Sequence, residues 1–182
     1  NGQFLWAKPF VRTNWNKGFD AKGRPIIDPA TIATRAGVTV FPAVGGTNFQ
    51  APTYDARTGL FILEYVSAQG FAQSAPVTYE KGKQFLGRGV GGGPSPVATD
   101  QGIEAIDAKT GKIVWKFPMA RVGLSSGLVG TAGGIVFAAS AEGQLLVLDE
   151  KSGKPLWHLR VNGPINSSPI SYSAGGKQFL AI

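Results

Sequence analysis

Cysteine is absent from the 182 residues, so this segment forms no disulfide and offers no thiolate as nucleophile or metal ligand. Histidine occurs once, as His158, which excludes a metal cluster built on several histidines within these residues. Charge is sparse at 16%, and the 18 basic side chains against 11 acidic ones give a net +7. The Lys and Arg residues are scattered, with no basic run or basic helix, so nucleic acid is not an expected partner. The excess reads as a solvated surface or a face for an acidic partner. Long apolar runs are missing too. Among the longest is Gly134-Ile135-Val136-Phe137-Ala138-Ala139, far short of a bilayer span. Residues 1–30 lack the charged-then-apolar layout of a secretory leader. Nothing shows a sustained helical period, and only Asp28-Pro29-Ala30-Thr31-Ile32-Ala33 has the cap and first-turn proline for one helical turn.

What is abundant is turn chemistry: Gly 26 and Pro 12, spread between short alternating apolar segments, which predicts an all-β chain. Two segments align without a gap. They are Ala105-Ile106-Asp107-Ala108-Lys109-Thr110-Gly111-Lys112-Ile113-Val114-Trp115 and Val147-Leu148-Asp149-Glu150-Lys151-Ser152-Gly153-Lys154-Pro155-Leu156-Trp157. Their aspartates and their tryptophans each stand 42 residues apart, and a period of about 40–45 is the size of a four-stranded propeller blade. In each copy a strand ends at Asp, whose carboxylate accepts backbone N–H bonds across the turn. Thr/Ser-Gly then closes the hairpin, and the following strand carries an indole suited to wedging between sheets. Asp107 and Asp149 are therefore expected to be structural, not catalytic, and Trp115 and Trp157 to be equivalent wedges in successive sheets. A weaker copy, Tyr54-Asp55-Ala56-Arg57-Thr58-Gly59, has Leu63 in place of the tryptophan.

A second repeated unit pairs Ser74–Tyr79 with Gly82–Leu86, and Ser168–Tyr172 with Gly176–Leu180, each predicted as a hairpin. Gly87–Pro94 is glycine-rich without phosphate-loop or dinucleotide spacing and reads as a flexible loop. His158, beside a wedge tryptophan on an alternating strand, reads as a surface residue. The expected architecture is a partial β-propeller of about three to four four-stranded blades. One domain covers residues 1–182, with repeats near 45–100, 101–142 and 143–182. Such an arc leaves sheet edges open unless further blades close the ring, so the chain is expected to be a fragment of a longer one whose remaining blades are its partner.

The repeat resembles the tryptophan-docking motif of quinoprotein dehydrogenases, and two further stretches sharpen the likeness. Gly45-Gly46-Thr47-Asn48-Phe49-Gln50-Ala51-Pro52, followed by Thr58-Gly59-Leu60-Phe61, is similar to that family's Gly-Gly-x-Asn-Trp-x-Pro … Thr-Gly-Leu segment. Gly127-Leu128-Val129-Gly130-Thr131-Ala132-Gly133-Gly134-Ile135-Val136-Phe137 is similar to its glycine-rich strand. Ala7-Lys8-Pro9-Phe10, Asn14-Trp15 and Gly18-Phe19-Asp20 resemble the methanol/ethanol branch. The likeness runs in order along nearly the whole chain and is that of the C-terminal part of a PQQ-dependent alcohol dehydrogenase.

It implies an eight-bladed propeller carrying pyrroloquinoline quinone (PQQ) and a Ca²⁺ or lanthanide ion. It implies oxidation of a small primary alcohol, electron transfer to a c-type cytochrome, and a periplasmic location. The family's metal ligands and catalytic Asp lie upstream of the matched stretch, so this segment is expected to hold neither. Its implied cofactor contacts are Asn48, whose amide both donates and accepts, and Phe49. Phe49 stands where the family has Trp, and Arg121–Ser126 lacks a Trp common just before the glycine-rich strand. The competing expectation is a non-enzymatic propeller, such as the outer-membrane assembly lipoprotein, acting as a protein-binding scaffold.

Overall fold

The computed structural model describes residues 2–83, 85, 96–120 and 126–182. Strands dominate, as the turn-rich sequence requires: β1 (Asn16–Phe19), β2 (Pro25–Ile27), β3 (Val38–Val40), β4 (Thr53–Asp55), β5 (Leu60–Ala72), β6 (Val97–Asp107) and β7 (Ile113–Pro118) come first. They are followed by β8 (Val129–Gly130), β9 (Ile135–Ala139), β10 (Gln144–Asp149), β11 (Pro155–Arg160), β12 (Ile170–Ala174) and β13 (Lys177–Ala181). The one helical turn among the described residues is the 3-10 turn Pro29–Thr31. Asp28 caps it by accepting the Ala30 N–H at 3.0 Å, as the sequence predicts. No helix among the described residues is long and apolar enough to cross a membrane.

Two compact units emerge, residues 1–46 with 67–99, and residues 47–66 with 100–182; β5 and β6 contribute to both. In the first unit β1 and β2 form an antiparallel ribbon, and β3 pairs with the last residues of β5. Asn14 ties this unit together: its Oδ1 accepts the Phe41 N–H at 2.7 Å, and its Nδ2 donates to the Thr39 carbonyl at 3.0 Å. Arg12 lies over the Phe41 ring at 3.9 Å, a cation–π contact that accounts for its place in the sequence.

The second unit holds the repeats. Strands β4 to β7 form an antiparallel meander, and β8 to β11 form another in the order β11-β10-β9-β8. A third sheet begins with the hairpin β12–β13. Between the first two meanders lies a core of Leu60, Ile62, Ile103, Ala105 and Trp115 from one sheet and Val136, Ala138, Leu146 and Leu148 from the other, with Leu128 from the connection between them. At about 25 cal/mol per Å², burying this alternating set is the main force joining the sheets.

The repeated turns superpose in detail. Asp107 Oδ1 accepts the N–H and hydroxyl of Thr110 at 2.6 and 2.8 Å. Asp149 Oδ1 accepts the same groups of Ser152 at 2.9 and 2.6 Å. Those hydroxyl and amide bonds hold both carboxyls below the usual carboxylate range. The closing glycines Gly111 and Gly153 take φ 66° and 68°.

Trp115 is 8% exposed. Its indole lies where a Cβ on Gly153 would come within 2.5 Å of the ring, and its Nε1–H donates to the Glu150 carbonyl at 2.8 Å. The turn of one sheet thus receives the wedge of the sheet before it, and only glycine leaves room.

Three sequence expectations change. Trp157 matches Trp115 in strand register, opposite Val147 as Trp115 is opposite Ala105, but it is 51% exposed, so the two surroundings are unlike. The weaker copy at Asp55 is a true turn relative, with the Gly59 N–H donating to the Asp55 carbonyl at 2.8 Å. It joins the first and second strands of its sheet, however, whereas Asp107 and Asp149 lie between the third and fourth. The hairpin at Ser168–Leu180 forms as β12–β13, but residues 74–83 hold no strand, because Pro76 removes a ladder donor and the segment lies exposed; of its expected partner Gly82–Leu86, Gln84 and Leu86 lie outside the described residues. Gly87–Pro94 and Arg121–Ser125 lie outside the described residues. His158 is exposed on β11, as expected.

Candidate functional site

The innermost strands of propeller sheets surround a central channel, so the segments leading into β4, β8 and β12 are where a ligand in that channel would be met. The first strands of neighbouring sheets touch: the Gly130 N–H of β8 donates to Thr53 Oγ1 of β4 at 3.0 Å. Two residues before each strand stand Ala51, Gly127 and Ser168. These equivalent positions stack on one another. The Leu128 N–H donates to the Ala51 carbonyl at 2.8 Å, and Ser126 Oγ donates to the Ser167 carbonyl at 2.9 Å. A Cβ on Gly127 would come within 2.9 Å of the Ala51 nitrogen and would strike the Ser168 hydroxyl, so the close approach depends on glycine.

Asn48 and Phe49 sit at the outer end of this stack, on the lead-in to β4. Both are exposed, and Phe49 is 84% so. Asn48 Oδ1 accepts the Phe49 N–H at 2.9 Å, which leaves the NH₂ as the donor end of the amide. The next residue, Gln50, is buried and anchors the loop. An amide donor beside an open aromatic face suits a flat, oxygen-rich ligand.

At the opposite end of β4 a polar clamp joins the two meanders. Arg57 chelates Asp55 and donates to the carbonyls of Thr131 and Ala132, while Thr58 Oγ1 donates to Glu150 Oε1 at 2.5 Å. The guanidinium holds the Asp55 carboxyl well below the usual carboxylate range. Shallow clefts of about 250 and 490 Å³ flank Arg57, but its donors are already engaged, so they make no anion site. Sequence reasoning missed this clamp because the partners lie more than 70 residues apart.

On the sheet face carrying Tyr65, its hydroxyl donates to Asp100 at 2.9 Å. Lys116 pairs with Glu104 at 3.1 Å and with Asp100 at 3.5 Å. Burial raises the Glu104 carboxyl, against the pull of Lys116. Glu64, also on β5, is a further buried acid beside Glu104 and Glu150, and neither of its oxygens has a hydrogen-bond partner among the described residues. Burial alone pushes it up to about 8. No group of three or more metal-ligating acidic or histidine side chains occurs among the described residues.

Meanders whose first strands touch, with an indole wedged onto the next sheet's turn, define a segment of a β-propeller. Comparison with known proteins gives the kind of propeller. Along its whole length the chain is 30% identical to the quinoprotein alcohol dehydrogenase PedH of Pseudomonas putida, covering 32% of that protein. It is 34% identical over 98% of its length to 1-butanol dehydrogenase (quinone) of Thauera butanivorans, covering 30%. Among solved structures, a europium-containing methanol dehydrogenase superposes on 98% of the chain with a TM-score of 0.83 at 28% identity, over 32% of that structure. A family model described as outer membrane protein assembly factor BamB matches residues 99–176. The chain therefore spans about a third of the length of the relatives it matches and resembles PQQ-dependent alcohol dehydrogenases, as its motifs indicate; the match fits a C-terminal segment.

Proposed function

We propose that this chain is the C-terminal propeller arc of a PQQ-dependent dehydrogenase that oxidises a primary alcohol and passes electrons to a c-type cytochrome. The observation that carries the reading is the Asn48–Phe49 lead-in, matched in sequence to the family and presented at the stacked ends of the innermost strands. The 99–176 match to the assembly-factor model falls on the two docking repeats, which any propeller of this repeat shares, and leaves the Asn48 segment outside. That weighs against a scaffold.

The residues present fit PQQ at one contact. The NH₂ of Asn48 would donate to a quinone or carboxylate oxygen, and Phe49 would offer its ring to the cofactor. When bound, PQQ takes up two electrons from the alcohol. Asn48 would orient the cofactor and Phe49 would shield it, while the general base and the ligands for Ca²⁺ or a lanthanide would come from other parts of the parent chain. Two relatives are named for cytochrome c, which supports that acceptor and, with the family likeness, a periplasmic location. The europium in the structural neighbour's name makes a lanthanide a natural metal to test.

The test is titration of PQQ into the full-length protein with Ca²⁺ or a lanthanide, followed by alcohol-dependent reduction of an artificial acceptor. Asn48→Ala is expected to weaken PQQ binding about tenfold, the worth of one good hydrogen bond to a charged group. Absence of PQQ binding by the folded wild-type protein overturns the reading.

A further inference from the structure

The loop from β11 to β12 carries a reactive pair that nothing above uses. It is pinned at two points: the Val161 N–H donates to the Gly143 carbonyl at 2.8 Å, and the Ile165 N–H donates to the Ser140 carbonyl at 3.4 Å. Ile165 is buried and packs with Ala139 and Leu145. Between the pins stand Asn162 and Gly163, both exposed, and neither makes a hydrogen bond among the described residues. A Cβ on Gly163 would meet nothing within 4 Å, so the space beside it is open. Where glycine follows asparagine, no side chain hinders the approach of the next backbone nitrogen to the asparagine side-chain carbonyl. The other described asparagines are placed differently. Asn14 is held at both ends of its amide, by the Phe41 N–H and the Thr39 carbonyl. Asn16 Oδ1 accepts the Gly18 N–H, and Asn48 Oδ1 accepts the N–H of Phe49, the nitrogen that would have to attack. Asn166 is exposed but precedes Ser167, whose carbonyl is engaged by Ser126 Oγ.

We infer that Asn162–Gly163 is a site of spontaneous deamidation, a covalent modification that needs no enzyme. The Gly163 nitrogen, its proton lost to water, forms a bond to Asn162 Cγ; the Cγ–Nδ2 bond breaks and ammonia leaves. Water then opens the cyclic imide at either carbonyl, giving aspartate or isoaspartate, with no oxidant or other reactant. Either product adds a negative charge, and isoaspartate also lengthens the backbone by one carbon between the two pins. The loop has little slack to absorb it, since a Cβ on Gly143 would come within 2.4 Å of the Gly163 carbonyl oxygen and 2.6 Å of that of Val161. The extra length draws Val161 off Gly143 or Ile165 out of its seat.

The test is ageing of the full-length protein at pH 7 and pH 9, followed by tryptic digestion. Cleavage after Arg160 and Lys177 releases one peptide holding both Asn162 and Asn166, so each sample carries its own control. Fragmentation locates the amide-to-acid mass gain, and isoaspartyl methyltransferase labelling counts the isoaspartate. Conversion at Asn162 is expected to outpace that at Asn166 by about tenfold, a difference of about 1.4 kcal/mol in activation free energy. It is faster at pH 9, because the attacking nitrogen must lose its proton. Gly163→Ala, which meets open space and no left-handed φ, is expected to slow it about tenfold. Equal conversion at the two asparagines, none at either, or a Gly163→Ala protein that converts as fast as wild type overturns the site. Aged wild type is expected to unfold at lower urea than fresh Asn162→Asp, which has the charge without the extra carbon; equal midpoints overturn the strained loop.

Discussion

Trp115→Ala is expected to lower the unfolding free energy by about 3–5 kcal/mol, whereas Trp157→Ala in the same chain is expected to cost under about 1.5 kcal/mol. The two tryptophans share a motif, a strand register and a position after a Gly turn. They differ in what they touch. Trp115 loses contact with Gly153 and with the apolar cluster on β9 and β10 when it is cut back, leaving a cavity in that cluster. It also strands the Glu150 carbonyl, which loses the indole N–H. Trp157 is half in water and leaves no cavity. Trp115→Phe separates the contributions, since it keeps most of the packing but deletes the hydrogen bond, and is expected to cost about half as much as alanine. Urea unfolding of the four proteins under one set of conditions checks all three values. Equal losses at positions 115 and 157 would remove the basis for calling one indole docked.

The second large effect is one of pH and concerns stability, not ligand affinity. Glu64 has an ordinary carboxyl value of 4.5 in the unfolded chain and about 8 when folded. The unfolded state therefore gives up its proton first. Below about pH 4.5 both states are protonated and Glu64 contributes no pH dependence. Between about 4.5 and 8 each pH unit costs the folded state roughly 1.4 kcal/mol, and above 8 the loss levels off. At pH 7 the accumulated penalty is roughly 3 kcal/mol. Glu64→Leu, similar in volume and apolar, should cancel it, so the variant is expected to be more stable than wild type by a margin that grows from pH 5 to pH 8 and then stays constant. Denaturant midpoints across that range measure the margin. A variant less stable than wild type at pH 8 would show that the carboxylate has a partner in the folded protein.

Most of the fold was legible in the sequence, because a propeller repeats its instructions. The Asp-x-x-Thr/Ser-Gly turns were readable since each needs a side-chain acceptor and a residue tolerant of positive φ, and the 42-residue spacing showed that they recur in the same place. The same logic left the place of the Asp55 copy within its sheet open, because an identical turn closes either hairpin of a meander and local chemistry does not count strands. Pairing of Ser74–Tyr79 was over-read for a related reason: alternation is necessary for a strand but an exposed segment containing Pro76 has no ladder to join. Of the candidate site, Asn48 was visible as a turn residue and through its family likeness. The stacking of Ala51, Gly127 and Ser168 was not, since contacts between lead-ins of different sheets leave no periodic trace. Glu64 was invisible: a single acid among apolar residues looks like an outward-facing position until the coordinates bury it.

The exposure of Trp157 gives the chain a built-in optical gauge. An indole in water emits to the red of one held in apolar surroundings, so Trp157 colours the spectrum by whatever lies against it, over the emission of Trp6, Trp15 and Trp115. Subtracting the emission of a Trp157→Phe protein isolates that single fluorophore. Any molecule or sheet that settles on the β11 flank then announces itself as a blue shift, with no dye attached.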